Sequence, residues 1–355
     1  MLRLVKNRIS RILLATLDRV LALYQGRDIL RRHTPYLGDA IGRLPGDRES
    51  GLPDPYRQVR AARSRQETSN FENVIFVSGW FRTGSTLVWN LFRDLPGVTS
   101  YYEPFNERRW FRRDMRGERV DNTHMGVNDY WQEYEGLTHL DRYFRDDWYY
   151  KNLYMDAHSW APAMRAYIDE LIRSGEPCAV LQFNRLCFRL AWVRQNFPGA
   201  RILHLYRDPR DQWLSFIKSK ARCAPDASFA TLGTQDFFYL RKWGRDLVNV
   251  YPLLDEDALS HPYELFYLIW RLSFTQGERY ATHSISIESI CEDPQASISG
   301  LFRDLSIDTA HLPSAVGKVA GPVASKWQDY AADDWFSTTE SHCESLLDDY
   351  YRSRH

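Results

Sequence analysis

The chain alternates between short uncharged apolar runs and longer amphipathic stretches. Val74-Ile75-Phe76-Val77 carries no charge and reads as a strand buried on both faces. Past Gly79 and Gly84 the period changes. Leu87, Leu91 and Leu95 share one face of a predicted helix, which ends at Pro96-Gly97. Val98 to Tyr102 reads as a second strand, stopped by Pro104. Further strands are predicted at Cys178 to Phe183, Arg201 to Tyr206 and Ser284 to Glu288. Helices are predicted over 162–174, around 190–197, after 211, and over 235–252, 262–280 and 338–351. Asp293-Pro294 starts another, with proline at a first-turn position. This alternation predicts an α/β fold: a doubly wound, mainly parallel sheet flanked by helices.

Two regions break the alternation. Residues 1–70 read as an N-terminal extension ahead of one α/β domain over 71–355. Within the extension, Val5, Ile9, Ile12, Leu13, Val20 and Leu23 share a side of an amphipathic helix over 2–24 whose other side carries Arg8, Arg11 and Arg19. Packing against the domain or a second subunit is the favoured reading, which leaves room for a homodimer; peripheral contact with a membrane surface is the other. Residues 44–70, rich in Gly, Pro, Arg and Ser, read as a linker. The second region is a large insertion over 106–160, where Trp110, Tyr130, Trp131, Tyr134, Phe144, Trp148 and Trp160 mix with Asp121, Asp129, Asp141 and Asp146. It reads equally as an acceptor-binding lid or as an aromatic subdomain with its own small core.

Composition removes several classes of function. Lys and Arg number 46 against 46 Asp and Glu, without the basic excess of a nucleic-acid binder. Five cysteines, odd in number and with no C-x-x-C pair, suit reduced thiols in a cytoplasmic protein. The histidines show no metal-ligand spacing, so no metal is expected. No apolar run approaches the length of a membrane span, and Asp18-Arg19 interrupts the N-terminal one before it resembles a signal peptide.

The chemistry concentrates where the first strand meets its helix. Strand, glycine turn and helix form a phosphate cradle, because backbone N–H groups and the positive end of the helix dipole face the same anion. Against the P-loop pattern G-x-x-x-x-G-K-[ST], Gly79, Gly84 and Thr86 fit, but Ser85 stands in the lysine position. The cradle is P-loop-like without the cation that Mg-ATP needs; Arg82 is the nearest one. A plain strand–turn–helix corner with a surface arginine is the bland alternative. The second stretch is Arg207-Asp-Pro-Arg-Asp211, at a strand end opening a helix that carries Ser215. Arg207 and Ser215 could grip a second phosphate; equally, Asp208 could cap the helix while Arg207 makes a local ion pair.

Together these motifs resemble the sulfotransferases that use 3′-phosphoadenosine 5′-phosphosulfate (PAPS). Phe81-Arg-Thr-Gly-Ser-Thr-Leu87 resembles their 5′-phosphosulfate loop in the arginine version of the carbohydrate and tyrosylprotein branch. Arg207-Asp-Pro-Arg-Asp with Ser215 resembles their 3′-phosphate motif, and Tyr102-Glu-Pro104 the Glu-Pro segment after the second strand. Ile287 to Pro294 is similar to the family's late strand, and Ser325-Lys326-Trp327 to its C-terminal segment that closes on the nucleotide. The resemblance covers roughly 72–104 and 178–352. It departs in a mild swap at Thr83 and Ser85, and in lacking the membrane helix that anchors carbohydrate-branch members.

The resemblance implies PAPS as donor, no metal, and in-line sulfuryl transfer to a hydroxyl or amine of a carbohydrate or small-molecule acceptor. It implies Arg82 and Glu103 as catalytic residues, cation and general base. Arg82, Thr83, Gly84, Ser85, Thr86, Arg207, Ser215, Ser325, Lys326 and Trp327 would bind the nucleotide. The rival readings are a P-loop kinase, which would require Mg-ATP, and a binding module that holds the nucleotide without transfer.

Overall fold

The computed structural model describes residues 71–121, 124, 126–175, 177–321 and 325–353. The amphipathic helix expected over 2–24, the linker over 44–70, and the extension they compose lie outside these residues.

Five strands form one sheet: β1 (Val74–Gly79), β2 (Val98–Tyr102), β3 (Cys178–Phe183), β4 (Arg201–Tyr206) and β5 (His283–Ser286). Their order is β2-β3-β1-β4-β5, and every neighbouring pair is parallel. β1 is central, with Val74 paired to Ala179 on one side and Gly79 to Leu205 on the other. All six β1 residues are buried, which is why its sequence has no polar face.

Helices cover both faces, as the doubly wound expectation requires. The main ones are α1 (Ser85–Arg93), α2 (Pro162–Ser174), α3 (Leu190–Asn196), α4 (Pro209–Ile217), α5 (Leu240–Leu247), α6 (Pro262–Tyr280), α7 (Ile287–Glu292), α8 (Pro294–Asp304) and α9 (Asp333–Arg352). Alternate β1 side chains serve opposite faces. Val74 and Phe76 join a core containing Met164, Tyr167 and Ile168 of α2 and Trp192 of α3. Ile75 and Val77 join one containing Val88 and Leu91 of α1, and Leu301 and Phe302 of α8. A third core joins Trp80 and Phe81, just past β1, to α4, α6 and α9. The loop after β1 is therefore packed on both sides of its glycines.

Three elements differ from the sequence pattern. The last strand ends at Ser286, because the Ser286 hydroxyl accepts the Ser289 N–H at 3.0 Å and starts α7, taking Ile287 and Glu288 into the helix. The helix expected over 235–252 is broken. Phe238 and Tyr239 have left-handed φ of 46° and 64°, and α5 spans only Leu240–Leu247. The final helix starts at Asp333, where Asp333 and Asp334 complement the positive end of its dipole.

The insertion is partly core and partly cavity wall. Tyr134, Phe144 and Trp148 are buried in the same core as Phe105 and Tyr167. Its carboxylates largely hold arginines: Asp129 pairs with Arg93 at 2.8 Å and Asp141 with Arg109 at 2.9 Å. Trp110, Asp121 and Tyr130, by contrast, reach the cavity described below. Among the described residues no helix is long and apolar enough to cross a membrane. The five cysteines are free thiols.

Candidate active site

A cavity of about 690 Å³ opens where β1, β2, β3 and β4 end. In an open parallel sheet this edge gathers loops and helix N-termini, and ligands bind there. Arg82, Gly84, Ser85, Thr86, Glu103, Arg207 and Ser215 all line it, although the chain separates them by more than a hundred residues.

The loop after β1 leaves no room for larger residues. A Cβ on Gly79 would stand 2.6 Å from Thr83 Oγ1, and one on Gly84 2.7 Å from Ile287 side-chain carbons. Gly84 also has φ +84°, which favours glycine. Leu87 and Val88 N–H bond back to Gly84 O, so α1 begins there, and the N–H groups ahead of them have no carbonyl within the helix. They form the anion cradle, reinforced by the helix dipole. Ser85 Oγ donates to Asn184 Oδ1 at 2.8 Å. Thr86 Oγ1 lies 3.1 Å from Tyr102 Oη and 3.3 Å from His124 Nε2. Thr83 turns inward: its hydroxyl donates to Trp80 O at 2.9 Å and it does not line the cavity.

On the β4 side, Arg82 Nε donates to Ser215 Oγ at 2.9 Å, and an Arg207 N–H reaches Arg82 O at 3.4 Å. Arg207 Nε is buried without a hydrogen-bond partner; Glu288 Oε1 stands 3.9 Å away. Burial pulls the Arg207 guanidinium down from its ordinary range, while Glu288 and Asp211 oppose the shift. Burial likewise lifts the Glu288 carboxyl. Asp208 does cap α4, accepting the Arg210 N–H at 2.9 Å. The cap and the loose Arg207–Glu288 pair coexist with an arginine facing the cavity.

On the β2 side, Glu103 is only 6% exposed and sits at a left-handed φ of 41°. Its Oε1 accepts Asn184 Nδ2, and its Oε2 accepts Asn106 Nδ2 at 2.6 Å and an Arg185 N–H at 2.8 Å. A carboxylate has about four lone-pair sites, so three are committed and one is left for an acceptor. Arg185 also holds Glu107 at 2.7 Å. Burial opposes the Arg185 charge, and the two carboxylates outweigh it. His124, whose pKa burial lowers, and Tyr130, whose hydroxyl burial pushes up to about 12, complete this wall.

Ser325, Lys326 and Trp327 do not line the cavity. Lys326 N–H donates to Asp211 Oδ1 at 2.7 Å, and the Trp327 ring lies 4.8 Å from the Arg210 guanidinium. These two contacts tie the segment to α4; Lys318, Ala320 and Gly321, shortly before it, line the cavity. Sequence reasoning also missed Asn184 and Arg185. The available signal was a pair of polar residues directly after a buried strand, at the sheet edge where ligands collect. Phe238 and Tyr239, which also line the cavity, carried no such signal.

Two phosphates at separate positions fit this wall. The α1 N-terminus offers free N–H groups, and the unpartnered Arg207 Nε with Ser215 offers the second grip. Among the described residues no cluster of three or more His, Cys, Asp or Glu is gathered as a metal site.

No curated protein matches the chain. Three similar solved structures are the sulfotransferase STF9 from Mycobacterium avium, a sulfotransferase from Alicyclobacillus acidocaldarius, and retinol dehydratase in complex with androsterone and inactive cofactor PAP. The first is 14% identical with a TM-score of 0.44, covering 83% of this chain and 81% of its own. The second is 14% identical with a TM-score of 0.36, covering 78% and 94%. The third is 14% identical with a TM-score of 0.32, covering 78% and 81%. Residues 74–267, more than half of the chain, match the model of the sulfotransferase family. From strand β1 to helix α6 the chain therefore belongs to the sulfotransferase family, and it is a PAPS-dependent sulfotransferase.

Proposed function

We propose that this enzyme moves the sulfuryl group of PAPS directly, in line, to a hydroxyl or amine of a carbohydrate or small-molecule acceptor. The observation carrying this reading is that Glu103 and Arg82 line one cavity together with Arg207 and Ser215. PAPS, when bound, supplies an activated sulfuryl group on a leaving phosphate. Such a transfer asks the protein chiefly for alignment and charge stabilisation. N–H groups at the start of α1, with the hydroxyls of Ser85 and Thr86, hold the 5′-phosphate. Thr83 acts through the loop's shape. Arg82 neutralises charge growing on the bridging oxygen. Arg207 and Ser215 hold the 3′-phosphate and so select the donor. Glu103 takes the acceptor's proton as the new S–O bond forms, and Asn184, Asn106 and Arg185 hold it in place. The unpaired cysteines support a cytoplasmic location.

The test is calorimetric binding of adenosine 3′,5′-bisphosphate (PAP) without added metal. Micromolar binding that weakens about 100-fold or more in Arg207→Ala is expected. Binding of Mg-ATP with none of PAP would overturn the reading in favour of a kinase.

A further inference from the structure

The segment from Asn106 to Asp121 follows Glu103 directly and carries six arginines: 108, 109, 112, 113, 116 and 119. Four of them hold carboxylates. Arg109 pairs with Asp141 at 2.9 Å, Arg112 with Asp114 at 2.6 Å, Arg113 with Glu135 at 3.0 Å and Arg116 with Glu135 at 2.8 Å. None of these four lines the cavity; Arg108 and Arg119 do. Both are exposed, and neither has a carboxylate partner among the described residues. Arg108 makes one long bond, 3.4 Å, to the Arg119 carbonyl, and its guanidinium lies 6.0 Å from the Trp110 ring. Glu107, adjacent to Arg108 in sequence, is already bonded to Arg185 at 2.7 Å, and Glu118, adjacent to Arg119, makes no ion pair with it.

A second observation concerns Trp110, which also lines the cavity. It is 3% exposed, and its indole N–H is buried without a hydrogen-bond partner. A buried donor of this kind costs free energy until something accepts from it. Asn106, which donates to Glu103, ties this segment to the candidate base.

On the reading of Glu103 as the base, we propose that the acceptor carries an acidic group, a carboxylate, beside the hydroxyl it presents. The guanidinium groups of Arg108 and Arg119 and the indole N–H of Trp110 hold that group. Two unpaired guanidinium groups and a bare N–H recognise a carboxylate by charge-assisted hydrogen bonds. A neutral acceptor could accept hydrogen bonds from these donors but would offer the two guanidinium groups no opposite charge. The donor nucleotide has its own cations in Arg82 and Arg207. The acceptor class this favours is an acidic carbohydrate, such as a uronic acid, or a hydroxy acid of similar size.

The test uses the full chain, first saturated with PAP, and measures binding of para-nitrophenyl glucuronide and para-nitrophenyl glucoside. These probes differ only at C6, a carboxylate in the first and a hydroxymethyl group in the second. The glucuronide should bind about tenfold or more tightly, and the gap should close in Arg108→Gln/Arg119→Gln while PAP affinity stays within about twofold. Equal binding of the two probes, a glucoside preference, or no binding of either overturns the proposal and leaves the sulfotransfer reading standing. A large loss of PAP affinity in the variant also overturns it, since the arginines would then serve the donor. Failure of PAP to bind the unaltered protein would instead sink the proposed function, a result distinct from all of these.

Discussion

Arg82 Nε donates to Ser215 Oγ at 2.9 Å, and this bond fastens the loop after β1 to helix α4, 133 residues away in the chain. The residue expected at the 5′ end of the donor and the one expected at the 3′ end are thus partners. Because Ser215 accepts through its oxygen, its hydroxyl proton is left for a phosphate. Arg82 is held at φ 70° with its guanidinium directed by the serine.

Ser215→Ala should therefore disturb both ends of the donor site. PAP affinity should fall about tenfold, and kcat by a similar factor as Arg82 loses its anchor. Arg82→Lys, which cannot reproduce the planar fork, should lower kcat by roughly 10²–10³ with little change in PAP binding. Calorimetry beside steady-state kinetics reads the split; unchanged kcat in both variants would remove the pair from catalysis.

Glu103 and Asn184 give a second expectation. Glu103→Gln should lower kcat by roughly 10²–10⁴ with PAP affinity nearly constant, since the amide cannot take a proton. Asn184→Asp would place a second carboxylate against the first. Two facing carboxylates do not both ionise readily, so the acid limb of kcat against pH should move to higher pH. A limb that stays in place would show that Glu103 is not the titrating base. Asn184 also receives the Ser85 hydroxyl, so the donor loop and the candidate base share one orienting residue.

A third expectation lies away from the site. His204 on β4 is buried against Gly277 of α6, where an added Cβ would stand 2.3 Å from the ring, and it bonds Ser284 Oγ at 2.8 Å. Burial lowers its pKa from 6.5 to about 4, with Glu278 opposing. The folded state thus prefers the neutral ring. Its contribution is whole above the unfolded value and is lost as pH falls from 6.5 towards about 4, a loss of about 3 kcal/mol at most. Urea midpoints across that window should drop, and His204→Gln should flatten the drop. Gly277→Ala should cost roughly 1–3 kcal/mol at any pH, because helix and imidazole must separate.

Much of this molecule was legible beforehand where a physical rule acts locally. The uncharged run at Val74 to Val77 could only be a covered strand. Gly84 had to sit where φ is positive and no Cβ fits. Ser85 in place of lysine already argued against Mg-ATP. Rules that depend on neighbours in space were less legible. Ser325-Lys326-Trp327 resembled a nucleotide clamp, and in this structure the Lys326 backbone N–H and the Trp327 ring contact α4 outside the cavity. The aromatic insertion could be a lid or a core by composition, and only packing shows which of its rings are core and which line the cavity.

By itself the sequence determined the parallel α/β sheet, the anion cradle after its first strand and the separate positions of two basic motifs. Periodicity, glycine conformation and helix dipoles all act within a few residues. Only the tertiary structure decided which side chains meet. The strand order β2-β3-β1-β4 brings Glu103 to Asn184 and Arg82 to Ser215. The physical reason is that a hydrogen bond depends on position in space, and strand order converts distant chain positions into neighbours across a few ångströms. It likewise separated Arg108 and Arg119, unpaired at the cavity, from four neighbouring arginines already holding carboxylates.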